Sequence, residues 1–568
     1  MTSHAPAARR LILDHVYDHE ARTPERVYLT QPVGGGRVVD YTWAQTLDQA
    51  RRMAAHLQSM GLPRGAKVAM LSKNCAHFVI TELAIWIGGY TTVAIFPTEK
   101  AETIRYVLEH SEASALFVGK LDTWDDQRAG VPASLPCIAL PLAPASALAA
   151  GMPKWDDLVA RTAPLAGRIE RDPDEMAMLL YTSGSTGTPK GVMSSFGAFS
   201  AAAEGFAAFS RERTGPDIDG RLLSYLPLAH SFERSCVEGA SLVDGRTQVF
   251  FAEALETFLA DLQRARPTLF ISVPRLWLKF QQGVFAKMPA HKLDRLLRIP
   301  ILGRIVAKKV LKGLGLDSAL AAFSGSAPLP PDLIRWYERL GLKVLEGYGM
   351  SEDNSYSHAS TETQHEPGYV GVAMPGVQVR IAPDGEVLIK SPAQFSGYYK
   401  QPELTATSFT EDGFFRTGDL GERRADGLLK ITGRAKELFK TAKGKYVAPA
   451  PIENLINANP MIELSMVSGV GHPAAYALVV LAEDLRPKVS DPAVRAEVQR
   501  ELEALLVRVN AQLSDYEKLQ MIVVAREPWT IENGCLTPTM KIKRAGIEKA
   551  IAAQVERWYA DGHRVVWA

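Results

Sequence analysis

The stretch from Thr42 to Ser72, TWAQTLDQARRMAAHLQSMGLPRGAKVAMLS, contains the pattern that decides the fold of this chain. Its first half places apolar residues on one helical face, and these are Leu47, Ala50, Met53, Ala54 and Leu57. Gly61 follows as a helix stop, and the segment AKVAML is short and continuously apolar, as buried strands are. The stretch therefore predicts a helix, a glycine stop and then a buried strand.

The same alternation continues downstream, in HFVITELAIWIGGYTTVAIFP and in AETIRYVLEHSEASALFVGK. Repeated helix–strand units predict stacked βαβ units with a mainly parallel sheet. After about Gly376 the pattern changes to alternating strands around Pro383-Asp384-Gly385 and around Asp426-Gly427, which predict two hairpins. We therefore expect a β-rich subdomain after the α/β region, and a domain boundary near Arg434 to Lys436.

Composition excludes several classes of protein. The chain has 568 residues, 46% of them hydrophobic, and a formal net charge of +1. A near-neutral charge favours no nucleic-acid partner, and we expect none. Four widely spaced cysteines without a CxxC pair favour a reducing cytosol over a disulfide framework or a zinc site. The first residues contain no apolar segment of a signal peptide, and no apolar run is long enough to span a membrane.

The run YTSGSTGTPKG, from Tyr181 to Gly191, is rich in glycine and hydroxyl side chains. It follows the strand-like segment EMAMLLY and precedes GVMSSFGAFSAAAEGFAAFS, which we predict to be helical. Such a loop can present N–H groups and hydroxyls to phosphate oxygens, with Lys190 as a cation. On composition alone, a flexible surface loop is the alternative. The Walker A pattern is absent, because Lys190 is followed by Gly191 where that pattern requires serine or threonine.

Six further motifs accompany this run along nearly the whole chain, and they are SYLPLAHSFER, FSGSAPLP, EGYGMSE, FFRTGDLG, ITGRAKELFKTAKGKYVAP and LTPTMKIKR. Together the motifs resemble those of the adenylate-forming superfamily, which includes acyl-CoA synthetases, firefly luciferases and nonribosomal peptide adenylation domains. SYLPLAHSFER is most similar to the long-chain acyl-CoA synthetases. The resemblance implies an α/β fold, with a large N-terminal AMP-binding and acyl-binding domain over residues 1–435. It also implies a small mobile α+β C-terminal domain over residues 436–568.

The resemblance also implies a nucleotide site. The residues that would bind the β- and γ-phosphates of ATP are Thr182, Ser183, Gly184, Ser185, Thr186, Gly187 and Lys190. Glu352 would be a catalytic residue and a ligand of Mg²⁺, with Thr182 as a second ligand. Tyr348 would stack on the adenine, and Gly325, Ser326 and Ala327 would line the base. The other cofactor-binding residues of the adenine-and-magnesium motif would be Gly347, Gly349 and Ser351. Asp419 would accept both ribose hydroxyls, helped by Arg434.

Other implied roles belong to the end of the chain. Lys541 would be the catalytic lysine of adenylation, Lys443 and Gly444 would help to place coenzyme A, and Lys436 would be the hinge between the domains. Taken singly, each candidate has an ordinary alternative. Glu352 alone would be a solvated carboxylate, Asp419 a turn residue, Tyr348 a packing aromatic and Lys541 part of a solvated basic face; the ordered set of motifs favours the functional roles.

The chain departs from the superfamily pattern at a few positions. Ser351 stands where threonine is commoner, and Glu437 where aspartate is commoner, and both exchanges keep the chemistry. Phe196 and Ala198 stand where histidine and asparagine are frequent, so the contacts of that histidine are in doubt. His230 and Phe232 either line an acyl tunnel or belong to the core.

The activity implied by the resemblance is that of an ATP-dependent fatty acyl-CoA synthetase, with a fatty acid, ATP and coenzyme A as partners and Mg²⁺ as cofactor. Three alternatives stay open: transfer of the acyl group to a carrier protein, an aromatic carboxylate as substrate, and nucleotide binding without turnover. The segment from His291 to Leu316 mixes leucines with lysines and arginines, which indicates either transient membrane contact or packing against the N-terminal domain. We expect a cytoplasmic protein, peripheral to the inner face of the membrane if that contact occurs; chain length and oligomeric state stay open.

Overall fold

The helix and strand predicted from the opening stretch are the helix Trp43–Ser59 and the strand Lys67–Leu71. The computed structural model describes residues 10–182, 188–537 and 540–568, and every structural statement below concerns these residues. The five apolar residues of the predicted helical face are all buried, and the Thr42 hydroxyl caps the helix by accepting from the Gln45 N–H. Gly61 has a φ of +71°, a conformation in which glycine is favoured. The prediction for this stretch is confirmed.

The sheet that contains Lys67–Leu71 is parallel over most of its width and antiparallel at one edge. Its strands, in spatial order, are Gly397–Tyr398, Lys190–Ser195, Met176–Thr182, Thr91–Ile95, Lys67–Leu71, Ala113–Val118 and Cys137–Ala139. The helices Ala76–Ile87 and Ala101–Ser111 connect its parallel strands. Every residue of Ala76–Ile87 is buried, which explains why its sequence is apolar on all sides.

The two ends of the glycine-rich run lie in neighbouring antiparallel strands of this sheet. The strand Met176–Thr182 pairs antiparallel with Lys190–Ser195, and Tyr181 lies opposite Gly191. The predicted helix therefore begins at Phe196, where the Ser195 hydroxyl caps it, and our prediction of helix from Gly191 onward was wrong. The reason is tertiary: Lys190–Ser195 has a strand neighbour on each side, and these ladders outweigh local helix propensity.

Two further sheets complete the α/β region. One contains the strands Leu269–Ser272, Ala321–Ser324, Val344–Tyr348, His358–Ala359 and Val372–Ala373. The other contains Val38–Thr42, Val27–Pro32, Gln248–Phe251 and Arg221–Ser224. In the first of these, the parallel strands Ala321–Ser324 and Val344–Tyr348 end side by side, so the segments that follow them meet at one edge.

Helices cover these sheets and connect their strands. Those not yet given are Ile12–Arg22, Trp124–Gln127, Ala145–Ala149, Trp155–Arg161, Phe196–Thr214, Ser231–Glu233, Ala240–Asp244, Phe258–Ala265, Pro274–Lys287, Ala290–Leu297, Leu302–Gly313, Pro331–Arg339 and Pro402–Thr407. A π-helix runs over Arg234–Gly239, and short 3₁₀ turns lie at Arg128–Gly130, Ser351–Asp353, Ala435–Glu437 and Lys488–Ser490. In the described ranges, no helix is both long and apolar enough to cross a membrane.

The β-rich subdomain is an antiparallel sheet. Its strands are Gln378–Ile381, Glu386–Lys390, Phe415–Arg423 and Leu429–Arg434. Gly385 and Gly427, with φ of +88° and +92°, lie in the turns predicted from the sequence. Both predicted hairpins are therefore confirmed.

The C-terminal region has two sheets and its own hydrophobic core. The smaller sheet pairs Phe439–Lys440 with Tyr446–Val447, and the larger one contains Ile462–Ser468, Ala475–Leu481, Leu519–Val524 and Val565–Trp567. Its helices are Pro449–Asn457, Pro492–Asn510 and Arg544–Asp561. The predicted fold class, a large α/β N-terminal domain with a smaller C-terminal domain, is confirmed, whereas the boundary near Arg434 to Lys436 stays a prediction.

Polar contacts join the C-terminal region to helix Pro274–Lys287 of the large domain. Arg275 forms an ion pair with Glu463, whose other oxygen accepts from Arg486 at 3.0 Å. About two turns of helix further on, Gln282 donates to the Pro460 carbonyl at 3.1 Å. These contacts hold the small domain against the large one in the arrangement described below.

Candidate active site

A cavity of about 370 Å³ lies where the parallel strands of the first two sheets end. The C-terminal domain contributes Thr537, Lys541 and Lys543 to its lining. The predicted site residues that line it are Thr182, Gly325, Ser326, Gly347, Tyr348, Gly349, Ser351, Glu352, Arg434 and Lys541. A larger cleft between the domains adjoins it and brings in Ala327 and Asp419. The structure thus assembles most of the predicted set, from segments far apart in the chain, around one connected space.

Asp419 is the centre of a hydrogen-bonded group. Its Oδ2 accepts from the Tyr348 hydroxyl at 2.6 Å, and its Oδ1 accepts from the Arg434 Nε at 2.8 Å. Arg434 is placed by strand pairing, because Asp419 and Arg434 lie opposite each other in the antiparallel sheet. The Asp419 carboxylate raises the pKa of Arg434, and burial, reinforced by Asp419, raises the pKa of Tyr348. The tyrosine is therefore a neutral donor, and the arginine stays charged.

Glu352 is oriented by a residue that the sequence analysis did not identify. Glu352 lies in the 3₁₀ turn Ser351–Asp353, and its Oε1 accepts from the Tyr398 hydroxyl at 2.7 Å. The Glu352 carbonyl also accepts from the Phe395 N–H at 2.7 Å. Lys190 does not line the cavity; its Nζ lies 5.3 Å from the centroid of the Tyr398 ring. Nothing in the motif around Glu352 indicates a tyrosine 46 positions later in the chain.

Lys541 is the contribution of the C-terminal domain to the cavity. A tight turn holds its backbone, since its N–H donates to the Thr537 hydroxyl at 3.1 Å and its carbonyl accepts from the Thr537 N–H at 2.8 Å. Lys541 is an exposed residue, and its accessible surface faces the cavity and the adjoining cleft. Partial desolvation in this space and the charge of Arg434 lower the pKa of Lys541, while Asp419 and Glu437 oppose that shift.

Part of the cavity lining is apolar. The apolar side chains are Phe206, Phe209, Leu269, Ile271 and Phe323. The Phe209 and Phe323 rings pack with centroids 5.0 Å apart. A carboxylic acid with an aliphatic chain could therefore place its chain among these residues and its carboxylate toward Lys541.

His230 and Phe232, which sequence left undecided between tunnel and core, both line the cavity. The His230 Nδ1 accepts from the Phe232 N–H at 3.1 Å, which assigns the ring proton to Nε2. Burial, with a contribution from the nearby Lys541 charge, lowers the pKa of His230 to about 3, so the ring is neutral at physiological pH. Phe232 packs on Gly325, where a side-chain Cβ would lie 2.9 Å from the ring.

Some predicted residues lie elsewhere. Lys443 and Gly444 form an exposed turn between Phe439–Lys440 and Tyr446–Val447, and neither lines the cavity or the cleft. Lys436 is exposed in the short turn that joins the domains. Ser183, Gly184, Ser185, Thr186 and Gly187 lie outside the described residues. The roles proposed for all of these residues stay predictions.

Phe196, which replaces the usual histidine, is a core residue. It is fully buried, its ring packs against Trp86 at 5.6 Å, and the Arg171 guanidinium lies 4.4 Å from its centroid. It does not line the cavity. The substitution therefore removes no group from the cavity as it stands here.

His358 is a second lining residue that the motifs did not indicate. It lies opposite Tyr348 in the antiparallel strand pair, and its Nδ1 is 2.8 Å from the Ser357 hydroxyl. Its buried Nε2 makes no hydrogen bond to any residue that the structure describes, and burial lowers the pKa of His358 to about 3. The imidazole beside Tyr348 is therefore neutral at physiological pH.

The residues present suit a magnesium ion. The described ranges contain no cluster of three or more histidine, cysteine, aspartate or glutamate residues that would enclose a metal. Magnesium is usually held by one or two carboxylates together with water and substrate phosphates, so a single Glu352 with one oxygen bound by Tyr398 is a fitting partner.

Two family profiles match this chain, one over its N-terminal part and one over its C-terminal part. The profile of AMP-binding enzymes matches residues 16–399, and the profile of the AMP-binding enzyme C-terminal domain matches residues 437–563. The long-chain-fatty-acid–CoA ligase FadD15 of Mycobacterium bovis is 32% identical, over 96% of each chain. The human long-chain-fatty-acid–CoA ligase 1 is 27% identical, over 93% of this chain and 84% of its own length.

Solved structures share the fold. The adenylation domain of the carboxylic acid reductase of Segniliparus rugosus, in complex with AMP and a co-purified carboxylic acid, superposes with a TM-score of 0.80 at 22% identity. That match covers 97% of this chain and 94% of the other. ATP-bound MatB of Rhodopseudomonas palustris gives a TM-score of 0.72 at 23% identity, over 95% and 98% of the two chains.

Proposed function

The chain belongs to the AMP-binding enzyme family, and we propose that it is an ATP-dependent fatty acyl-CoA synthetase, an acid–thiol ligase. The observation that carries the proposal is the cavity, whose lining combines apolar side chains with polar groups that include Lys541 and His230. Relatives that align over almost the whole chain are ligases of long-chain fatty acids and coenzyme A. ATP, a medium- or long-chain fatty acid and coenzyme A are the substrates, with Mg²⁺ as cofactor.

In the first step, a carboxylate oxygen attacks the α-phosphorus of ATP. A new P–O bond forms, the bond to the β-phosphate breaks, and pyrophosphate leaves with the acyl adenylate retained. The transition state concentrates negative charge on the phosphoryl oxygens, so preorganised cations are what the protein supplies. Lys541 supplies such a cation to the cavity, and His230 offers its Nε2–H to the carboxylate.

The nucleoside is held by the group around Asp419. The Tyr348 ring is fixed by its hydrogen bond to Asp419 and stacks on adenine. Each Asp419 oxygen already accepts one protein hydrogen bond and keeps a lone pair for one ribose hydroxyl. Arg434 and Tyr348 thus orient the carboxylate that binds the ribose, and Gly325 and Ser326 form the wall beside the base.

We assign the triphosphate to the part of the cavity that Thr182 and Glu352 line. A magnesium ion bound there would neutralise charge on the β- and γ-phosphate oxygens. Glu352, whose Oε1 already accepts from Tyr398, would hold the ion. Lys190, beside Tyr398, adds positive charge on the same side.

In the second step, the thiol sulfur of coenzyme A attacks the acyl carbonyl carbon. The C–S bond forms, the acyl–phosphate bond breaks, and AMP leaves. Lys443 and Gly444 lie outside the cavity in the present arrangement. We therefore assign this arrangement to adenylation, and the second step to a state in which the C-terminal domain has turned about Lys436.

The test is a substrate panel with purified protein. Acids from acetate to stearate, and benzoate as an aromatic acid, are supplied with ATP, Mg²⁺ and either coenzyme A or a phosphopantetheinyl carrier protein. We expect acyl-CoA from medium- or long-chain acids, with pyrophosphate exchange that depends on the acid. Acylation of the carrier alone, preference for benzoate, or nucleotide binding without exchange would each replace the proposal with one of the alternatives.

The place of action is the cytoplasm, with transient contact at the inner face of the membrane. Four widely spaced cysteines suit a reducing compartment, and fatty acids partition into bilayers. The exposed basic segment His291 to Leu316 is the surface through which such contact would occur.

A further inference from the structure

The turn between helices Ala290–Leu297 and Leu302–Gly313 presents aliphatic side chains to solvent. The exposed fractions are 44% for Ile299, 73% for Ile301, 40% for Leu302 and 60% for Ile305. Single exposed aliphatic residues are common on protein surfaces, but several at the tip of one turn form a patch that needs an explanation. The break between the two helices, which contains Pro300, brings these residues to a tip.

The backbone of this turn is strained at its most exposed residue. Ile301 has φ of +67° and ψ of −61°, and the Leu302 N–H donates to the Pro300 carbonyl at 2.7 Å. That is the classic γ-turn, which is rare and costly for a β-branched side chain. The turn is not loose, because a Cβ on the neighbouring Gly303 would lie 2.5 Å from the Leu297 carbonyl oxygen. The fold thus holds an isoleucine outward at a cost, as happens at functional sites.

Positive charges surround the tip. The exposed cations of this region are Lys292, Arg295, Arg298, Arg304, Lys308, Lys309 and Lys312. In the part of the chain that the structure describes, none of them has an ion-pair partner within 4.0 Å. Asp294 is the one acidic residue between His291 and Leu316, and Arg339 binds it at 2.9 Å.

The apolar and basic residues are ordered along the helix axis. Leu302 and Ile305 lie on the outer face of the first turn, while Gly303 and Ala307 are buried on the inner face. Lys309 and Lys312 continue the outer face, about 6 Å and about 10 Å beyond Ile305 at a rise of ~1.5 Å per residue. The distance from the apolar tip to these cations matches the depth, ~5–10 Å, to which an amphipathic surface enters the boundary between headgroups and acyl chains.

We propose that residues 298–312 form a membrane-docking surface, in which Ile299, Ile301, Leu302 and Ile305 enter the headgroup boundary of an anionic phospholipid bilayer. The unpaired cations contact the lipid phosphates. Charge complementarity selects this partner over a second copy of the chain, which would bring like charges together. The inference deepens the proposed function, since a ligase docked on a bilayer meets its fatty acid there, but lipid binding is measurable without any substrate.

The experiment measures binding of the full chain to sucrose-loaded vesicles by sedimentation, with no nucleotide or fatty acid present. One set contains phosphatidylcholine alone, and the other contains phosphatidylcholine with phosphatidylglycerol. We expect binding to the anionic vesicles that weakens as salt rises from about 0.15 M to about 1 M, because the Debye length shrinks. Binding that ignores lipid charge and salt would overturn the proposal, as would no binding to either set.

Two variants test the residues. Ile301→Asp with Ile305→Asp should weaken binding at least ~100-fold, since burial of two isoleucines is lost. Val507→Asp, an aliphatic residue 55% exposed on helix Pro492–Asn510 of the other domain, is the matched control and should bind like wild type. Lys308→Glu with Lys309→Glu should weaken binding by at least about 30-fold, at ~1 kcal/mol per cation.

Further readouts keep these results interpretable. Far-UV circular dichroism and pyrophosphate exchange with a soluble medium-chain acid should be unchanged in all variants, which shows that they are folded. If exchange is absent from wild type but vesicle binding follows the predictions, the proposed function fails and this inference stands. If the isoleucine variant binds vesicles normally, or if wild type forms dimers that this variant abolishes, the surface has another role and the inference is wrong.

Discussion

Replacing Lys541 with alanine is the sharpest perturbation of the proposed reaction. Lys541 comes from the C-terminal domain, and its accessible surface faces the cavity and the cleft. Arg434 is already held at another position, because its Nε donates to Asp419 at 2.8 Å. The variant therefore loses one preorganised cation, which typically costs ~3–4 kcal/mol, or ~10²–10³-fold in rate.

The assay follows the two half-reactions separately. Adenylation is measured as acid-dependent exchange of pyrophosphate into ATP, and thioester formation is measured from synthetic acyl adenylate and coenzyme A. We expect Lys541→Ala to lose the first and to keep most of the second, because the second uses the other arrangement of the domains. A calorimetric melting curve shows whether the protein is folded.

Lys543→Ala is the matched control, since Lys543 is also a cation that lines the cavity. Its charge lies near Glu99, whose carboxylate it stabilises, so we expect a much smaller loss of adenylation. Arg544 is unsuitable as a control because its guanidinium binds Glu453 at 2.6 and 2.7 Å, and its loss would disturb the C-terminal core. Adenylation by folded Lys541→Ala near the wild-type rate, or equal loss of both steps, would refute the reasoning.

Three other predictions concern the metal, the hinge and pH. Glu352→Gln should weaken the dependence of pyrophosphate exchange on Mg²⁺ with the fold intact. Tyr398→Phe should raise the Mg²⁺ concentration for half-maximal exchange about 10-fold, since a hydrogen bond to a charged group contributes ~1.5 kcal/mol. Unchanged Mg²⁺ titrations would contradict both predictions. Lys436→Pro fixes φ near ~−65° at the proposed hinge. If proline retains the adenylation arrangement, thioester formation from acyl adenylate should be abolished. Normal rates of both steps would exclude a hinge at Lys436. Because the pKa of Lys541 is lowered, its ammonium group loses the proton at a lower pH than an ordinary lysine, and adenylation should fall as pH rises through that pKa. Lys541→Arg should move this alkaline fall in rate to higher pH. An unchanged pH profile would assign the fall to another group.

The elements of the fold were predictable where a local pattern specifies them. The periodic apolar residues of Trp43–Ser59 and the continuous apolar strand Lys67–Leu71 need only their own sequence to be recognised. The turns at Gly385 and Gly427 were likewise predictable, because positive φ is a property of the single residue. Prediction was wrong at Gly191 to Ser195, where pairing with two neighbouring strands determines the conformation.

The motifs also identified most of the residues around the cavity, since the chemistry of nucleotide binding restricts residue types at short spacings. Nevertheless they did not indicate which side chains support them. Tyr398 binds Glu352 from 46 positions away, and His358 lines the cavity outside any motif that we recognised. His230 changed from an undecided residue to a lining residue only when the cavity was seen.

The sequence by itself determined the helix Trp43–Ser59, the strand Lys67–Leu71, the turns at Gly385 and Gly427 and the order of the motifs, because each depends on neighbours within a few residues. Tertiary structure alone decided that Tyr348 and Arg434 share the Asp419 carboxylate, that Tyr398 orients Glu352, and that Lys541 reaches the cavity from another domain. Those contacts join residues distant in the chain, and their existence depends on how whole sheets and domains pack, which no local spacing encodes. The exposed, strained Ile301 belongs to the same class, since only packing of the two flanking helices explains its outward position.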